Sequence, residues 1–196
     1  MSRAINDEAL DTILRTARSH NAWLDKPVSA ALLMAVYDLM RWGPTSANVS
    51  PARFLLLVSP ESKERLKPYL AAGNVSKVMT SAATAVIGYD LDFADHLPRL
   101  FAHQRDAKNW FADPKAAEIA AFRNGTLQGA YFIMAARALG LDCGPMSGFD
   151  NAGVDREFFP DGRIKSNFLC SLGYGDSAGL FPRNPRLSFD EACKIL

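Results

Sequence analysis

The sequence predicts a mixed fold in which helices and strands alternate along one compact chain. Two observations carry that reading. Three short apolar runs, RFLLLVS at 53–59, TAVIGYD at 84–90 and NFLCSLGY at 167–174, are set off by prolines, glycines or polar residues and read as buried strands. Helical periodicity fills much of the chain between them. The length of 196 residues, 48% of them hydrophobic, suits one domain or a compact pair and can bury a substantial core.

Taken in order, Asn6 or Asp7 can cap a first helix running to about His20, with Leu10, Ile13, Leu14 and Ala17 at helical spacing. Pro27 and Ser29 open a second helix whose stripe is Leu32, Leu33, Val36, Leu39 and Met40, and Gly43-Pro44 stops it. The strand at 53–59 follows. Short helices are expected over 61–70 and 73–81, then the strand at 84–90. Residues 92–113 show no clean period and read as irregular. From Pro114 to Leu139 runs the longest helix, and its second half, LQGAYFIMAARAL, is apolar on nearly every side. A helix of that kind must be covered all round, so a partner chain is expected to supply one layer. A short helix at 155–159 and the strand at 167–174 complete the order before a Pro- and Arg-bearing tail.

Composition excludes several functions. Net charge is +1, from 22 Lys and Arg against 21 Asp and Glu, without the clustered cationic face that nucleic acid requires. No apolar window is long enough for a membrane span, and the start lacks the layout of a signal peptide. Cys143, Cys170 and Cys193 are far apart and odd in number, which points to a reducing cytoplasm. His20, His96 and His103 show no metal spacing. GDSAG at 175–179 matches a nucleophile elbow in letters, but Pro182 and Pro185 forbid the following helix and every histidine precedes Ser177. Neither a P-loop nor a strand-linked dinucleotide fingerprint is present.

What remains is a set of small polar loops: GPTSANVSP at 43–51, GLDCGPMSGFD at 140–150, the cluster Arg18-Ser19-His20-Asn21 and the tail FPRNPRL. The first has almost nothing apolar to bury. It offers backbone N–H groups, hydroxyls and an amide to a flat polar partner. Arginines near both ends of the chain suit a phosphate, and a bound organic cofactor would supply the reactivity that these side chains lack.

In that order, these motifs resemble the FMN-dependent nitroreductase family over essentially the whole chain. HNAW, WGPTSAN, GPMSGFD and NPRLSFDEA resemble the branch associated with malonic semialdehyde reduction in pyrimidine catabolism. The resemblance implies an α+β fold with a central, mainly antiparallel sheet wrapped by helices, a single domain over 1–196, and an intertwined homodimer with two FMN sites at its interface. It places Arg18, Ser19 and Asn21 near the FMN phosphate, helped by Arg183 or Arg186. Pro44, Thr45, Ser46 and Asn48 would come from the partner subunit, the first three over the ring and Asn48 onto its pyrimidine side or the ribityl chain. Pro145, Met146, Ser147 and Gly148 would border the ring, with a backbone N–H near Ser147–Gly148 aimed at the N5 atom. Hydride would pass from NADH or NADPH through that atom to a small acceptor, best malonic semialdehyde, otherwise a nitro compound or quinone. A flavin-binding dimer without turnover is the alternative of a different class.

The chain departs from the family pattern at Ala17 and Asn21, where many members carry Arg or Lys. It departs again at Ser50, where Gln is common, and at Ser147, where Glu is common. Loss of that Glu removes a negative charge beside N5 and makes room for an anionic acceptor. No acid–base residue is compulsory; water or Ser147 can give the proton. Residues 96–111, which mix Arg99, Arg105 and Lys108 with Phe101, Trp110 and Phe111, are either a plain connection or a cover over the flavin.

Overall fold

A computed structural model describes residues 3–196. Four strands form one sheet in the order β1-β2-β4-β3, and every neighbouring pair is antiparallel. The elements in chain order are α1 (Asp7–Leu10), α2 (Ala30–Met40), β1 (Ala52–Leu57), α3 (Pro60–Leu66), α4 (Ala72–Thr80), β2 (Ala83–Asp90), α5 (Leu97–Leu100), α6 (Pro114–Ala138), β3 (Asp142–Met146), α7 (Asn151–Phe158), β4 (Ile164–Gly173) and α8 (Phe189–Ala192). The expected α+β architecture, a central antiparallel sheet wrapped by helices, is what the chain adopts.

The strand β2 is buried along its whole length, as its uninterrupted apolar run requires. α6 and α2 cover one face of the sheet, where Val36, Met40, Ile87, Phe132, Cys143, Cys170 and Leu172 share a core. α3, α4 and α7 belong to a second cluster with Leu57, Leu66, Val86, Val154 and Leu169. α6 lies close to the sheet because Gly125 and Gly129 face it. A Cβ at Gly129 would meet the Phe168 ring, and one at Gly125 would approach Tyr89 Cβ to 3.0 Å. One face of α6 is thereby buried, while Ile119, Phe122 and Leu127 on the other stay exposed.

Three expectations need correction. The first helix stops early: α1 passes into a π-helical turn over Asp11–Arg15, and the chain is no longer helical by Arg18. Ser19 bridges Cys143 in parallel and His20 N–H donates to Cys143 O at 3.0 Å, so pairing with the sheet wins over helical propensity. The stretch around DCGPM, read as a loop, contains a strand. It lies at the sheet edge, where a proline is tolerated because no second neighbour needs its N–H. Residues 92–113, read as irregular, hold helical turns at Phe93–His96, Leu97–Leu100 and Ala107–Phe111, anchored by buried Phe93, Leu97 and Ala107.

Candidate functional site

The loop between α2 and β1 is held in a conformation that its composition does not favour. Ala47, Asn48 and Ser50 have φ of 47°, 52° and 40°, a left-handed region that costs residues with a Cβ roughly 1–3 kcal/mol each. Five hydrogen bonds oppose that strain. Ser46 N–H donates to Asn124 Oδ1 at 2.8 Å and Ala52 N–H to Gln128 Oε1 at 2.8 Å; Asn124 and Gln128 are both buried. Tyr131 Oη donates to Pro44 O, Asn48 Nδ2 to Leu100 O and Ser50 N–H to Thr45 Oγ1. Gly43 admits the Tyr131 ring, since a Cβ there would overlap it. Pro44, Ser46 and Asn48 remain exposed above this scaffold.

The remaining predicted residues gather at the other sheet edge. Ser19 and Asn21 flank His20, which pairs with β3. Arg18 Nη2 donates to Phe181 O at 2.5 Å and Arg183 Nη2 to Ala17 O at 2.8 Å, so residues 17–18 and 181–183 are tied side by side. Arg186 instead donates to the carbonyls of Asn184 and Pro185. Along β3, Pro145 is half-buried, whereas the Met146 side chain points into the core beside Val154 and Leu169; only its backbone is offered. Ser147 is exposed, and the N–H groups of Ser147 and Gly148 donate to no backbone carbonyl among the described residues.

Two residues of α4 join this edge without having been expected. Asn74 Nδ2 donates to Gly148 O at 2.9 Å, fixing the turn after β3. Lys77 is buried, its stem lies 3.2 Å from where a Cβ of Gly144 would stand, and burial holds its ammonium below the ordinary lysine range. Asn74, Lys77 and Val78 fall on one helical face, so a lysine on an otherwise buried stripe was the available signal. His20 adds the one buried side-chain polar atom without a partner among the described residues, its Nδ1, while its Nε2 lies 3.4 Å from Asp142 Oδ1. GDSAG leads only into a 3-10 turn, Ser177–Gly179, and an extended tail. No cluster of metal-binding side chains occurs among the described residues.

The two groups do not meet within one chain. β1 and β3 are opposite edges of the sheet, about 14 Å apart at three strand spacings. Along α6, Asn124 holds the loop and Arg137 donates to Ile13 O, with about 20 Å of helix between them. The core around Phe132 fills the interval. Next to the loop, α2, β1 and the 96–100 turn line an open cavity of about 1,040 Å³ whose walls include Trp42, Asn48, Arg53, Phe54 and Arg99.

The model of the family described as the nitroreductase family matches residues 14–174. The chain belongs to the nitroreductase family. Its relatives agree over the full length. A provisionally named NADH dehydrogenase/NAD(P)H nitroreductase of Stenotrophomonas maltophilia is 61% identical over 196 residues, all of both chains. One from Burkholderia lata, named in the same way, is 58% identical over 97% of this chain and 98% of its own. Among solved structures, a provisionally named nitroreductase of Bacillus subtilis superposes with TM-score 0.89 at 19% identity, covering 97% of this chain and all of its own. Another from Exiguobacterium sibiricum, solved in complex with FMN, gives 0.87 at 20% identity over all of both chains. At that identity the structures attest the shared fold. Both relatives are named for NAD(P)H-linked reduction, and no helix of the described residues is long and apolar enough to cross a membrane.

Proposed function

We propose that the protein is an FMN-dependent NAD(P)H oxidoreductase working as a homodimer, each flavin held by the β3 edge of one subunit and the 44–48 loop of the other. One observation carries this reading: two polar, ligand-like groups lie at opposite edges of one sheet with a packed core between them. A two-fold dimer brings unlike edges together twice. Exposed apolar surface supports the dimer. Ile119, Phe122 and Leu127 lie bare on α6, and Phe181, Leu187, Phe189, Ile195 and Leu196 on the tail. Such a partner would bury more than roughly 2,000 Å².

The donor set fits FMN. Arg18 and Arg183 each spend one N–H on a chain carbonyl, which leaves each guanidinium further donors for a phosphate dianion. Ser19, Asn21 and Arg186 lie on the same two chain ends. Buried Lys77, without a carboxylate partner among the described residues, supplies a positive charge under β3, matched to the electron-rich pyrimidine edge of a reduced flavin. The free N–H groups of Ser147 and Gly148 suit a ring nitrogen. Pro44, Thr45, Ser46 and Asn48 of the other subunit cover the ring and exclude water. When bound, the flavin relays hydride from NAD(P)H to the acceptor.

The acceptor is a small aldehyde acid, best malonic semialdehyde. NAD(P)H gives a hydride to the aldehyde carbon, and water or the Ser147 hydroxyl gives the proton, yielding the hydroxy acid and NAD(P)+. The support is the neutral Ser147 at the ring border and Arg99 on the cavity wall. The aromatic walls Trp42 and Phe54 favour a second reading, a nitro or quinone reductase. Cys143, Cys170 and Cys193 are unpaired, in keeping with a reducing cytoplasm. The test is direct. The purified protein carries about one FMN per chain, sediments as a dimer, and oxidises NAD(P)H when malonic semialdehyde is added. A colourless monomer overturns the proposal; turnover of quinone alone leaves the second reading.

A further inference from the structure

We infer that Arg99 is the residue that selects acceptors bearing a carboxylate, acting from the subunit whose 44–48 loop covers the flavin. The inference rests on the dimeric flavin reading above and deepens it. Three cations of residues 96–111 are available, and their surroundings differ. Lys108 Nζ is paired with Asp95 Oδ1 at 2.8 Å, and Arg105 is exposed and stands outside the cavity wall. Arg99 lines the cavity together with Pro44, Asn48 and Ser50 of the strained loop. It makes no ion pair with another described residue.

The other arginines of that wall are engaged. Arg53 Nη2 lies 2.5 Å from Asp90 Oδ2, and its Nη1 donates to the Ser50 and Ala52 carbonyls. Arg41 Nε lies 3.5 Å from Asp38 Oδ1. Among the described residues of that wall Arg99 is therefore the cation whose charge is left for a ligand, and the wall's one carboxylate, Asp38, faces Arg41 instead. Its place is fixed from two sides. Leu97 is buried in the core, and Leu100 O accepts from Asn48 Nδ2 at 2.8 Å. The Arg99 turn and the loop are one tied unit, so wherever the loop caps a flavin, the guanidinium stands at the rim of the same space. An aromatic or aliphatic body resting on Phe54 and Leu100 leaves its carboxylate toward that rim, where a guanidinium offers a bidentate fork.

The experiment compares para-nitrobenzoate with para-nitrobenzamide, equal in shape and different in charge, alongside malonic semialdehyde and benzoquinone. In Arg99→Ala the ratio of kcat/KM for the carboxylate over the amide falls ten-fold or more, through KM. Arg99→Lys recovers part of it, and raised salt weakens the preference in the unaltered protein. In Arg105→Ala the ratio holds. An unchanged ratio in Arg99→Ala, with both acceptors still reduced, overturns this inference and leaves the flavin reading standing. Equal losses on both acceptors overturn it too, since they mark Arg99 as structural. No NAD(P)H oxidation by the unaltered protein with any acceptor overturns the flavin reading and this inference with it.

Discussion

Replacing Asn124 with alanine tests whether the 44–50 loop is held against its own strain. The buried amide accepts from Ser46 N–H at 2.8 Å and donates to Ala120 O at 2.8 Å. Ser46 is exposed, so its N–H regains water, and the global loss is one net hydrogen bond plus a small void, about 1–2 kcal/mol. For a chain of this size that lowers Tm by roughly 2–8 °C. The local effect is larger in consequence. Three left-handed residues cost about 3–9 kcal/mol together, opposed by five hydrogen bonds of about 1 kcal/mol each and by the packing of Val49, which is fully buried. With so small a margin, losing one bond releases the loop. Removing about 1.4 kcal/mol of holding energy lowers the ratio of held to released loop ten-fold. Hydrogen exchange over 44–50 should accelerate, and kcat/KM should fall measurably, by up to that factor, while the fold survives. Full activity with unchanged exchange in Asn124→Ala would refute the idea that this side chain holds the loop.

Three further outcomes follow from the geometry. Arg183→Ala combined with Arg186→Ala should lose FMN on dialysis, each charge-assisted bond contributing about 1.5–3 kcal/mol; full retention would remove the tail from the phosphate site. Asp90 is 1% exposed; burial raises its pKa, but hydrogen bonding to Arg163 and the charge of Arg53 outweigh that and hold it below the ordinary carboxylate value. A carboxyl depressed in the folded state stabilises above the ordinary range and loses that contribution as pH falls through it, so stability should drop from about pH 4 downward. Asp90→Asn should flatten that drop and cost about 3 kcal/mol, at the low end for a buried pair because Arg53 and Arg163 keep part of their surface in water; an unchanged acid profile would contradict it. Thiol reagents should label Cys193 alone in the native protein, because Cys143 and Cys170 are buried and the neighbouring Cys143 thiol, together with burial, drives the Cys170 pKa well up; rapid labelling at a second site would contradict the packing.

The fold was legible where hydrophobic pattern and punctuation agree. Runs such as TAVIGYD, the proline-capped start of α6 and the stop at Gly43-Pro44 all left clear marks. β3 was not legible, since Gly144 and Pro145 are strand breakers in isolation and only an edge position tolerates them. The end of the first helix was hidden because its rival, pairing of His20 with Cys143, is non-local. In the site, the polar loop announced itself by having nothing to bury. Its left-handed residues did not, because Ala47 and Ser50 carry no sign of positive φ. Lys77 and Asn74 were missed because they sit on a short, ordinary helix, and their meaning comes from the strand they lie under.

The union of two half-sites across a dimer is tested most directly by complementation. One variant breaks the β3 edge through Arg18→Ala and Arg183→Ala; a second disrupts the loop through Asn48→Ala and Asn124→Ala. Each alone should be nearly inactive. Dissociated together and reassociated in equal amounts, they should form mixed dimers in which one site draws the intact edge of the second variant and the intact loop of the first. Random two-fold pairing then restores roughly a quarter of the activity of the unaltered protein. No recovery, with mixed dimers shown to form, would mean that edge and loop belong to the same subunit's site and would contradict the account.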